Sequence, residues 1–200
     1  MFAIGHFALG YLAGKGTSKL FNVKINLPLL LAVSVIPDVD LLFSGFMDHR
    51  GLTHSIIVIS VLSIPFFAKY KKAMLPYLAA LLSHVFLGDL FTGGIEFLWP
   101  VLKTNIGLDL AVNSLPVNIT ELLLFSISLV FMYKQNDLQT LFKPHSSNLF
   151  LIVCIGAISG SLTFMLLIPD LIWFMLFSGS ILITLGHKFS MLFHRVGVTI

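Results

Sequence analysis

Residues 27–45 read LPLLLAVSVIPDVDLLFSG, an apolar run close to the length that crosses a bilayer, interrupted near its end by a proline and two carboxylates. The run needs apolar surroundings, and the rest of the chain has the same character. Of 200 residues, 57% are hydrophobic and 10% charged, 19 are phenylalanine, and the mean hydropathy is +0.98. A soluble domain of this size carries about a quarter of its residues charged. The expectation is therefore an all-α protein, a polytopic transmembrane helical bundle of about 6–7 helices, some short or broken. The same figures exclude a disordered tail and a nucleic-acid-binding domain. The single cysteine, Cys154, excludes a disulfide scaffold and a thiolate metal site. No cleavable signal peptide is expected at residues 2–14.

Outward from that stretch, apolar runs at 2–14, 27–45, 54–68, 73–92, 119–133, 149–168 and 171–187 allow seven crossings, several shorter than the roughly 20 residues a perpendicular helix needs. Lys69, Lys71 and Lys72 form the densest basic cluster. If they face the cytoplasm, alternation also puts 15–26, 134–148 and 188–200 inside, and these pieces hold ten of the twelve Lys and Arg residues. Only Arg50 and Lys103 then lie outside. This predicts a multi-pass plasma-membrane protein with its N-terminus outside and its C-terminus cytoplasmic. Residues 1–118 carry the polar groups and 119–200 add further helices to the same membrane domain.

That sidedness gathers the chemistry at one end. His6, Asp38, Asp40, Asp48, His49, His54, His84, Asp89, Asp109 and Glu121 all fall on or toward the outer side, and His145, His187 and His194 inside. Ionisable groups within apolar spans persist when they face a cavity or a partner. Pro37 breaks the helix at Pro37-Asp38-Val39-Asp40, and an extended turn there can aim both acids one way as cation ligands; the alternative is a helix end capped by one of them. Asp48-His49-Arg50-Gly51-Leu52-Thr53-His54-Ser55 presents two imidazoles from one loop, with Gly51 suited to a positive-φ reversal and Thr53 to capping the next helix. Arg50 suits a phosphate or developing negative charge, and otherwise anchors at the interface. His84 and Asp89 lie five apart, about 140° around an ideal helix, so a shared site needs a bulge near Gly88; otherwise Asp89 orients another ligand. His6 is either a packing residue or a ligand. Glu121, in Asn118-Ile119-Thr120-Glu121, has capping-box spacing.

Gly5-His6, Pro37 to Asp40, His49 to Ser55, and Ser83-His84 through Asp89 to Pro100 together resemble the membrane-bound metal-dependent hydrolases, also called YdjM-like. The resemblance covers roughly residues 1–100, and this chain has one residue more between His84 and Asp89 than the family pattern. It implies a hydrolase holding one or two divalent ions, zinc first and manganese or iron as alternatives, on His6, Asp38, Asp40, His49, His54, His84 and Asp89. Asp40, Arg50 and Asp89 are the candidate catalytic residues, with metal-activated water as nucleophile. A site at that depth can take a membrane lipid or lipid-linked phosphoester; nucleic acid is not an expected partner. The rival readings are a divalent-metal transporter, opposed by the scarcity of polar groups in the inner halves, and a non-catalytic membrane protein.

Overall fold

The computed structural model describes residues 1–43, 46 and 49–166. Asp48, His187, His194 and the apolar run 171–187 lie outside the described residues. Those described form seven α-helices and no strand. They are α1 (Ala3–Leu20), α2 (Leu27–Val33), α3 (Ile56–Tyr70), α4 (Leu75–Ser83), α5 (Leu115–Lys134), α6 (Asp137–Phe142) and α7 (Leu151–Leu166), linked by shorter 3₁₀ turns and one π-helical turn.

The start signals explain several boundaries. Asn26 Oδ1 accepts from the Leu29 amide at 3.1 Å, with Pro28 in the first turn, and so starts α2. Before Pro37 the α-helix ends, and residues Ile36–Phe43 continue as a 3₁₀ helix. The run 27–45 is thus two short elements. Ser55, not Thr53, caps α3, its hydroxyl accepting from the Ile57 and Val58 amides. α5 begins at Leu115 behind Ser114, so Asn118 to Glu121 lies within the helix and is no capping box. Glu121 is instead buried and accepts from the Phe2 amide, tying the start of α1 to α5.

α1 is the central element. It packs chiefly on α4 and α5, with α2 and α7 completing its surroundings. Tyr11, Leu27, Leu30, Ala80, Met132 and Cys154 form its core cluster. A second cluster, Ile59, Val85 and Ile95, lies under residues 90–114, which are pinned by paired Ile95–Ile106 hydrogen bonds of 3.0 and 2.9 Å. At one end of the bundle Lys15 Nζ lies 2.6 Å from Asp137 Oδ2, and Tyr11 donates to the same carboxylate at 2.9 Å. His6 lies at the opposite end of α1.

The outer surface is apolar. Among the described residues one helix, α5, is long and apolar enough to cross a membrane, and only 22% of its most apolar window is buried within the protein. Its apolar residues therefore face outward, including Leu122, Leu123, Val130 and Phe131. α3 likewise exposes Val61, Leu62, Ile64 and Phe66. Contiguous apolar faces of this kind need a partner or lipid.

Close helix contact on α1 depends on small residues: a Cβ at Gly10 would meet the Ser34 Cβ at 2.2 Å, whereas one at Gly16 meets nothing within 4 Å. Gly10→Leu is expected to destabilise the detergent-solubilised protein by about 1–3 kcal/mol through overpacking. Gly16→Ala should be neutral or stabilise by up to about 1 kcal/mol, because Ala is the better helix former. Thermal unfolding of the two variants checks this, and equal midpoints would contradict the packing described.

Candidate metal centre

Four elements deliver the polar residues to one point. His6 comes from the first turns of α1, Asp38 and Asp40 from the 3₁₀ helix after α2, His49 to His54 from the loop before α3, and His84 and Asp89 from the π turn after α4. His6, Asp40, His54, His84 and Asp89 are buried. This is an apolar interior holding three carboxylates.

The ring nitrogens are oriented from behind. His84 Nδ1 donates to the Ser34 carbonyl at 2.7 Å, so that Nε2 faces the cluster and, in the neutral ring, offers a lone pair there. The Thr53 hydroxyl donates to Asp40 Oδ2 at 2.7 Å and so accepts from His54 Nδ1 at 3.0 Å. The His54 Nε2 lone pair is thereby also turned inward. Asp40 further accepts from the Arg50 amide at 3.1 Å and from His49 Nδ1 at 2.9 Å. It is fully engaged as an organiser.

In front of the rings, His54 Nε2 and His84 Nε2 lie 3.2 Å apart. Each lies close to two carboxylate oxygens: Asp38 Oδ1 at 3.6 and 3.4 Å, and Asp89 Oδ2 at 2.9 and 3.0 Å, respectively. A tetrahedral ion with bonds of about 2.0–2.2 Å separates its ligand atoms by roughly 3.3–3.6 Å. The observed spacings bracket that value. Two imidazole nitrogens and two carboxylates brought this close together make a donor set that a divalent cation fits.

His6 lies beside this group. Its ring stacks on His84 with centroids 3.7 Å apart, and its Nε2 is 3.9 Å from Asp38 and 3.8 Å from Asp89. Neither His6 nitrogen has a hydrogen-bond partner. Buried orphaned polar atoms are costly and call for an occupant. Ligand atoms of His6, Asp38, His84 and Asp89 fall within 4.8 Å of one another, as do those of Asp38, His49 and His54. Asp38 is common to both sets.

The His84–Asp89 pair meets the condition that its five-residue spacing sets for a shared site, a bulge at this turn. Residues His84–Asp89 are π-helical, and the Leu90 amide bonds the Val85 carbonyl five residues back at 3.1 Å. The widened turn puts residues five apart on one face, as residues four apart lie on an α-helix. The extra residue therefore brings Asp89 to His84. Gly88 allows the close approach of His6, since a Cβ there would lie 2.4 Å from His6 Cε1.

Asp38 and Asp40 do not point together, as an extended turn would have them; the 3₁₀ helix sends Asp38 to the cluster and Asp40 to the loop behind it. Asp40 falls in neither set of ligand atoms. The positive φ of the loop is at Arg50 (+68°), while Gly51 has φ −93°. Arg50 lies at the rim, Nη2 3.4 Å from Asp89 Oδ1 and 3.5 Å from Thr92 Oγ1. Thr53 and the Ser34 carbonyl escaped the sequence reading as supports of His54 and His84. Thr53 could have been found from its place between Asp40 and His54, but a backbone carbonyl leaves no residue-type signal.

With this geometry in place, comparison with known proteins decides the family. The chain belongs to the YdjM inner membrane protein family. The family model matches residues 1–167 and so extends beyond the motif-bearing first half to include α5, α6 and all of α7. No curated protein and no solved structure matches the chain. Membership of the YdjM family identifies a membrane protein and gives the outward apolar faces their solvent.

Metal content of the purified variants tests these assignments. His54→Ala, His84→Ala, Asp38→Ala and Asp89→Asn should each lose most bound metal. Asp40→Asn should bind with affinity lowered about 10–100-fold, as removal of a ligand's supporting carboxylate does. His145→Ala, on an exposed segment, should be unchanged. Wild-type occupancy in Asp89→Asn would remove the π turn from the site.

Proposed function

We propose that the protein is a multi-pass, membrane-embedded metal-dependent hydrolase acting on a phosphoester of a lipid or lipid-linked substrate. The observation that carries this reading is the convergence of the His54 and His84 lone pairs with Asp38 and Asp89 beneath a guanidinium. Divalent ions held there, zinc foremost, supply Lewis acidity and a water of lowered pKa. The chain's own groups do the rest. Arg50 Nε is buried without a partner, so the guanidinium has donors to spare for a phosphate oxygen beyond its contact with Asp89. His49, about one-third exposed and held on Asp40 through Nδ1, is positioned to move a proton between the site and solvent through Nε2. Asp40 acts through His49 and His54, keeping both rings in register.

The sidedness of the basic residues supports a site at the outer end, with the α1–α6 contact of Lys15 and Asp137 at the cytoplasmic end. In a Cys154→Ser background, single cysteines at Lys71 and Lys143 should resist an impermeant thiol reagent in intact cells, and one at Lys103 should react. Labelling of 71 would reverse the orientation.

Activity is tested with reconstituted protein and lipid phosphoesters. Phosphate or headgroup release should disappear on chelation and return with zinc or manganese. Arg50→Ala should lower kcat/KM about 100-fold, the scale of losing one donor to developing charge, with metal retained. Turnover indifferent to chelation, or metal flux into vesicles without turnover, would contradict the hydrolase.

A further inference from the structure

Above the metal cluster lies a recess of about 240 Å³ whose lining includes His49, Arg50, Gly93, Gly94, Glu96 and Asn105. Its floor is backbone. Gly93 and Gly94 both have positive φ, +70° and +73°. A Cβ on Gly93 would lie 2.0 Å from Arg50 Nη1, and one on Gly94 2.5 Å from Asn105 Oδ1. Only glycines let the guanidinium and the amide lie this low. Asn105 Nδ2 donates to the Gly93 carbonyl at 3.2 Å, and the Glu96 amide donates to the Arg50 carbonyl at 3.0 Å. Five of the lining residues are thus fixed relative to one another.

The recess is electrically two-ended. Arg50 carries the positive charge, beside Asp89 and with its Nε unpartnered. Glu96, half-buried, makes no ion pair with the described residues. A lone carboxylate sharing a small recess with a guanidinium that it does not bind leaves room for a ligand bearing both charges. A separate groove of about 410 Å³, largely apolar, borders the same segment, and among its residues are Phe86, Leu87, Phe91, Ile106 and Leu108. Asn105 lines the recess and its neighbour Ile106 the groove.

We propose that this recess is a headgroup subsite for an amine-bearing, zwitterionic phospholipid. The phosphate lies toward Arg50 and His49, the ammonium toward Glu96 and the Asn105 carbonyl oxygen, and an acyl chain follows the groove past Ile106. The inference rests on the lipid-phosphoester reading above and deepens it by naming the headgroup that the site selects.

The test uses full-length, metal-loaded protein in detergent, with short-chain phosphatidylethanolamine and phosphatidylglycerol as calorimetric probes. Wild type should bind the ethanolamine lipid about fivefold more tightly, the scale of one partly exposed charge contact. Glu96→Gln should erase the preference, Glu96→Asp retain part of it, and Glu96→Lys reverse it, all with wild-type metal content as the check of folding. Equal wild-type affinities, or a preference that survives Glu96→Gln, would overturn the subsite. Headgroup-selective binding that depends on Glu96 but is never followed by turnover would overturn the hydrolase while leaving the subsite standing. Turnover of both lipids without preference would do the reverse.

Discussion

Asp38 and Asp89 both direct carboxylate oxygens at the same two imidazole nitrogens, inside a helical bundle. Such an arrangement is costly unless a cation neutralises it, because desolvated like charges repel strongly at low dielectric. The fold around it is built to enforce the arrangement. Ser34 and Thr53 fix the two rings from behind, Asp40 locks the connecting loop, and Glu121 secures the start of α1 near His6. A charge cluster held by so many independent elements is preorganised, which is what a site able to hold a metal ion requires.

α1 links the two ends of this design. Its glycines let it approach α2 and α5 closely while its other side packs on α4, so that one helix carries His6 into the cluster and Lys15 and Tyr11 to Asp137 at the far end. The π turn makes the complementary adjustment in the wall. Inserting one residue puts Asp89 beside His84 without moving α4, and leaves Leu87 and Phe91 facing the outer groove. Polar and apolar requirements are thus met on different faces of one turn.

Much of this was legible in the chain. Composition and apolar runs indicate helices in a membrane, and the residue types of the cluster stand out because His and Asp are expensive in such runs. His6 could be placed with the others only through the alternation of spans and the family resemblance, since its apolar neighbours do not mark it. What could not be read is backbone geometry. Whether Asp38 and Asp40 diverge depends on a 3₁₀ helix rather than an extended turn, and whether Asp89 reaches His84 depends on a π turn that five-residue spacing allows but does not dictate. Thr53 and Glu121 were assigned local caps because capping rules use short-range spacing, whereas their partners Asp40 and Phe2 are distant in sequence. The recess at Glu96 and Asn105 is assembled across the Ile95–Ile106 contact, which no periodicity announces.

The most direct measurement of the central claim is X-ray absorption at the metal edge on the intact protein purified from zinc-replete membranes. The account predicts stoichiometric metal with a nitrogen and oxygen shell at about 2.0–2.2 Å, accompanied by the outer-shell scattering of coordinated imidazoles. Protein that carries no stoichiometric metal and takes none up on titration, or whose metal shows no imidazole scattering, would contradict it.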